Sequence, residues 1–163
     1  MSYSMGNVLP GGFDVVDTER KFNLGAVAFD ADGKGYRYVQ VDVAGTADWA
    51  AGKPVGLISG GTAWEVAADL PTGVNACGIA QATVDVSAYT DGTDTIYSWI
   101  QVSGSAAVTL HGGTDVTHGL HVVWHADGTV DLMDTDTENH LSMGFCIGGS
   151  GTTSLTIQLQ GML

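Results

Sequence analysis

The residues best suited to chemistry are the histidines and acids of the C-terminal half. "THGLHVVWHADG" carries His118, His121 and His125. On a strand, His121, Val123 and His125 share one face while Val122 and Trp124 share the other. Strand positions i and i+4 stand about 13 Å apart at ~3.3 Å per residue, which is too far to share a zinc ion held at ~2.0 Å by each ligand. His118 and His121 meet across a turn, but no Cys or Asp is placed to complete a site. The three imidazoles are read as solvent-facing, and no metal is assigned to them. "DLMDTDTENH" adds Asp131, Asp134, Asp136 and Glu138, an alternation of oxygen donors like that of a calcium loop. The Gly at the sixth position and the Glu at the twelfth are missing. This stretch is read as a solvated loop, with calcium bound by those four acids as the alternative.

Covalent chemistry fares no better. The chain has no G-x-S-x-G, no H-E-x-x-H, no GxxxxGK[ST] and no Cys beside a local His. "GGSG" at 148–151 is a Gly-rich turn with no helix after it to present a phosphate-binding dipole. A glycosidase needs two carboxylates in an aromatic-lined cleft, whereas Trp49, Trp64, Trp99 and Trp124 are spread out as though each plugged its own segment. The expectation is a protein that is not an enzyme and uses no cofactor. Cys77 and Cys146 lie in the apolar runs "ACGIA" and "GFCIG" and are read as free buried thiols, with a disulfide between them as the alternative.

Charge narrows the partners. The chain of 163 residues has 18 acids and five Lys and Arg, a net charge of −13. Arg20, Lys21, Lys34, Arg37 and Lys53 all fall within the first 53 residues, and the remaining 110 have none. Such a surface cannot release counterions from phosphates, which argues against nucleic acid and anionic membrane as partners. No apolar run is long enough to span a bilayer and no leader pattern opens the chain, so synthesis and folding in a cytosol are expected.

The elements that must position these residues are strands. Twenty-four glycines, three prolines and 44% apolar residues point to one all-β body of short strands and tight turns, a compact β-sandwich or β-barrel. Helical periodicity is nearly absent; "TADWAAG" at 46–52 has room for one turn. Asp32-Gly33 and Asp127-Gly128 each separate two alternating runs, the signature of hairpins with primed two-residue turns. "GTTSLTIQLQGML" at 151–163 reads as a strand with Leu155, Ile157 and Leu159 on one face. Residues 1–13 lack periodicity and carry scattered apolar residues around a Pro-Gly-Gly break, an extended arm that either stays mobile or orders on a partner. Residues 14–163 form the body. Within it "GYRYVQV" at 35–41 is echoed by "IYSWIQV" at 96–102, which suggests two loosely similar halves near 35–86 and 96–160.

The run "RKFNLGAVAFDADGKGYRYVQVDVAGTADWAAGKPVGL" resembles the opening of small β-rich cement, or decoration, proteins of tailed bacteriophage capsids. Phe22, Leu24, Gly25, Val27, Asp32, Gly33, Tyr38, Val39, Ala51, Gly52 and Val55 occupy the places of that pattern. "GIAQATV" followed by "YSWIQVSG" is similar to its later strands, while "DLMDTDTENH" and "DVSAYTDGTD" depart from it. The resemblance implies a virion protein made in the host bacterial cytoplasm. Such a protein binds the capsid exterior against the major capsid protein, commonly as a homotrimer, and reinforces the shell. The residues expected to face that partner are Tyr3, Met5, Val8 and Leu9 of the arm with Arg20, Lys21, Arg37 and Lys53. The alternative is a carbohydrate-binding or tail-fibre β-sandwich domain, which would need an exposed aromatic platform.

Overall fold

The computed structural model describes residues 12–43, 49–58, 63–68, 76–89, 94–111, 116–125, 128–133, 142–148 and 154–160. Short runs of Val, Ile, Thr and aromatic residues between Gly-containing turns favour strands, and the chain is all-β. The strands are β1 (Val16–Asp17), β2 (Val27–Phe29), β3 (Gly35–Val41), β4 (Pro54–Leu57), β5 (Glu65–Ala67) and β6 (Ala76–Ala80). A 3₁₀ turn (Val86–Ala88) precedes β7 (Ile96–Thr109), β8 (His121–Trp124), β9 (Val130–Leu132), β10 (Gly144–Gly148) and β11 (Ser154–Leu159).

Five of them close into a barrel. The hydrogen-bonded order β3-β5-β4-β6-β7 returns to β3 through the β3–β7 ladder, so every strand of the ring has two neighbours. Closure removes free edges, which would otherwise invite pairing with other chains. The β3–β5 contact is parallel, and the other four are antiparallel. Val39, Val41, Val55, Val66, Ala80, Ile96, Ile100 and Val102 fill the interior.

The second half of β7 begins another arc of identical order. β7 pairs β11, β11 pairs β10, β10 pairs β8 and β8 pairs β9. A parallel bridge from Leu110 to Val130 brings β9 back beside the end of β7, and the His111 amide donates to the Val130 carbonyl at 2.7 Å. The interior holds Ala106, Val108, Leu110, Val122, Trp124, Val130, Cys146, Leu155, Ile157 and Leu159. Burying each aliphatic side chain contributes about 1.5–3 kcal/mol.

β7 thus serves both rings, and it turns between them at Gly104, whose φ is 87°. A Cβ there would lie 3.0 Å from the Lys34 Cα, so only glycine fits. The amide of Gln101, itself buried, donates to the Ser103 and Ser105 carbonyls at 3.1 and 2.9 Å, holding the bend. Tyr38 and Trp99, equated by the sequence echo, are cross-strand partners of β3 and β7. In strand order β3 corresponds instead to the second half of β7, and the first half of β7 to β11, where "WIQV" matches "TIQL".

Both Asp-Gly hairpins form, but with five-residue loops instead of two-residue turns. Phe29 pairs with Gly35 and Trp124 with Val130. Gly33 and Gly128 have φ of 79° and 76°, and their amides donate to the carbonyls of Asp30 and His125. The Asp30 carboxylate decides the first case by accepting the Asp32 and Lys34 amides at 3.0 and 2.8 Å, an Asx-type turn. Trp49, expected in a helical turn, makes an antiparallel bridge with Val84.

Candidate functional site

Strand β3 is buried on both faces because the N-terminal segment covers the outside of the barrel. Tyr36 and Tyr38 point outward from β3 and meet Trp99 of β7 together with Phe13, Phe22, Leu24 and Tyr97. Phe13 stacks on Tyr36 with ring centres 3.8 Å apart, so the described chain is anchored from its second residue. Beneath this aromatic layer the Tyr38 hydroxyl donates to Asp17 at 3.0 Å and accepts from the Lys21 amide at 3.3 Å. Lys21 also forms an ion pair with Asp17. Burial foremost, with the Asp17 carboxylate adding to it, pushes the Tyr38 phenol up to about 12.

Arg37 lies on the opposite face of β3, the face of Val39 and Val41. It is 9% exposed, and its guanidinium sits 3.9 Å from the centre of the Trp64 ring. Trp64 takes a left-handed backbone at φ 63°, a conformation bulky residues rarely adopt. Its carbonyl accepts the Gln40 amide at 2.9 Å. Gly25 leaves room for the indole, since a Cβ there would come within 2.3 Å of Trp64 Nε1. Burial lowers the Arg37 pKa, and Cys77 beside it acts in the other direction. Burial pushes the Cys77 thiol up to about 12.

At the junction of the two rings lies a cleft of ≈ 460 Å³ lined by Lys34, Gln81, Gln101, Ser105, Thr109 and Ser154 with small apolar residues between them. Among the described residues its lining offers amides, hydroxyls and one cation but no carboxylate, imidazole or thiol. It can hold a ligand by hydrogen bonds.

The residues singled out in the sequence do not converge. Tyr3, Met5, Val8 and Leu9 lie outside the described residues, as do Asp134, Asp136 and Glu138. Asp131 is in β9, where its carboxylate accepts the Leu132 amide at 2.6 Å. Arg20 is exposed and donates to Asn23 at 3.2 Å. Lys53 reaches across to Gly128 of the β8–β9 hairpin. Arg37 is largely buried, its guanidinium laid on Trp64. The echo of Gln40 and Gln101 hides two tasks, because Gln40 donates to Glu65 at 3.2 Å while Gln101 holds the β7 bend. Cys77 and Cys146 are both free thiols.

His121 and His118 are exposed, and His121 Nδ1 lies 2.9 Å from the Ser142 hydroxyl. His125 instead stacks on His111 with centres 3.8 Å apart. Spacing within one strand could not show this, because His111 follows β7 and His125 follows β8. The Arg37–Trp64 contact was likewise hidden in the sequence. Its only local signal is the alternation that puts Arg37 with Val39 rather than with the two tyrosines. Among the described residues no group of three His, Cys, Asp or Glu is arranged to hold a metal, and no helix is long and apolar enough to cross a membrane.

These features define an all-β protein built on a closed five-stranded barrel and a second arc sharing its longest strand. No protein-family model matches the chain, and no curated protein matches it. Among solved structures it is similar to the N base of head fiber gp8.5 in bacteriophage phi29. The identity is 14% and the TM-score 0.47, over 77% of this chain and 92% of that one.

Proposed function

We propose that this chain is a structural protein of a bacteriophage virion that binds the outside of the capsid lattice against the major capsid protein and reinforces the shell, acting as a homotrimer. The observation that carries this reading is the concentration of charge and motif in the first third of the sequence. The eleven residues of the cement-protein pattern all fall between Phe22 and Val55, and the five cations of the chain between Arg20 and Lys53. In the fold they are architectural. Gly25 donates its amide to the Tyr38 carbonyl, Gly33 makes the β2–β3 turn, and Gly52 donates to the Ala80 carbonyl at 2.9 Å with φ 84°.

Arg20 and Lys21 project from the N-terminal cover, just after residues 1–11, while the second arc has no Lys or Arg. A lattice-binding protein needs many modest contacts multiplied by avidity, and an N-terminal arm can add to a partner by strand pairing. The carbohydrate-binding alternative gains nothing here. Trp49, Trp99 and Trp124 are at most 2% exposed, and Trp64 is covered by Arg37.

Deleting residues 1–12 leaves Phe13 on Tyr36 and should preserve the fold. Co-sedimentation with purified shells should then show occupancy reduced by an order of magnitude or more. Undiminished binding by a folded deletion variant would overturn the assignment of the arm. Sedimentation of the free protein as a monomer at every concentration would overturn the trimer.

A further inference from the structure

We propose that the guanidinium of Arg37 in β3, laid on the indole of Trp64, is a receptor for a single carboxylate presented by a partner protein. A guanidinium carries five N–H donors in a planar fork that matches a carboxylate. Here one face of that fork is taken by the Trp64 ring. No acceptor for it occurs among the described residues, and Arg37 Nε is buried without a hydrogen-bond partner. The chain has 18 acids, yet no described carboxylate is brought to its most deeply buried cation. Leaving a charge desolvated and unpaired is costly, so the arrangement is complete only when an acid docks.

The support beneath the fork is built at some expense. Trp64 adopts a left-handed backbone of a kind that is strained and clusters at ligand clamps, and Gly25 clears space for its indole. Stacking on an aromatic ring immobilises the long side chain, so less conformational entropy remains to be lost on binding. A monocarboxylate matches one fork. A phosphate dianion would bring a second charge to a molecule of net charge −13 with no second cation beside Arg37, which disfavours it. The receptor extends the proposed function by naming the chemistry of one docking contact, and only its use on a capsid rests on that reading.

The test uses the whole ¹⁵N-labelled protein with sodium acetate as the probe, at constant ionic strength set with sodium chloride. The Arg37 Nε–Hε and Trp64 Nε1–H resonances should move together and saturably with acetate. In Arg37→Gln the Trp64 resonance should lose the response, and in Arg37→Lys it should require at least about tenfold more acetate, because a point charge replaces the fork. No movement in the unmodified protein would overturn the receptor even if either variant failed to fold. Tighter binding of inorganic phosphate than of acetate would overturn the carboxylate assignment. Movement with protein concentration alone would place the acid on a second copy and overturn the separate partner. Shell co-sedimentation of Arg37→Gln is read separately: if acetate binds but shell occupancy is unchanged, the receptor stands and its capsid role falls.

Discussion

Tyr36, Tyr38 and Cys77 carry the alkaline pH dependence that the structure builds in, burial being the largest cause in each. Tyr38 and Cys77 are both neutral in the folded protein, and burial raises each, to about 12 in both cases. A group with a raised folded pKa contributes its stabilisation fully below its unfolded value and loses it as pH climbs toward the folded one. The unfolded values are near 9 for the thiol and 10 for the phenol, so stability should fall across pH 9 to 12. Urea midpoints measured over that range should decline, and Cys77→Ala should flatten the part between pH 9 and 10. A midpoint independent of pH there would contradict the burial of these groups. Reactivity follows from the same environment. At pH 8 a thiol with a pKa near 12 is thiolate on the order of a thousandfold less often than an ordinary one. Alkylation of Cys77 by iodoacetamide in the native state should be slowed accordingly and recover on unfolding.

Among the elements, the segment from Phe22 to Val41 is where sequence and structure agree most closely. Alternation in "GYRYVQV" marks a strand, Asp32-Gly33 marks a reversal, and both are present. The reversal differs in length because the side chain of Asp30 captures two amides, a local competition that an Asp-Gly dipeptide does not reveal. The double burial of β3 depends on Phe13, Phe22 and Leu24 folding back over Tyr36 and Tyr38, a tertiary event with no signature in β3 itself. The candidate site was hidden for the same reason: Arg37 and Trp64 meet only because β3 pairs with β5 in parallel, across a ring that no local pattern encodes. Gly25 is the sensitive point of this arrangement. Gly25→Ala meets both a positive φ of 80° and the Trp64 indole, and should destabilise by about 2–4 kcal/mol. Chemical denaturation would measure it, and a loss under 0.5 kcal/mol would show that Trp64 can move aside at little cost.

At the scale of the molecule, β7 decides how the two rings behave. It pairs with β1, β3 and β6 along its first half and β11 along its second, so neither ring keeps its wall if β7 leaves. The rings should therefore unfold in one transition, with tryptophan fluorescence and far-ultraviolet circular dichroism coincident in urea. Two separated transitions would show that each ring keeps its own half of the strand. The acidic charge is divided differently from the rings, since every cation precedes Trp64 and the later strands contribute only acids.

The continuity of β7 also has a mechanical meaning. A load applied to the first ring passes along one covalent backbone into the second, with no intervening linker to stretch. The antiparallel ladders on either side lie along the line of pull, so their hydrogen bonds are loaded together in shear instead of being peeled open one at a time. If this protein is riveted to a shell that strains outward, β7 is the spar that takes the tension. Gly104, where it bends, is the point at which that tension would first be felt.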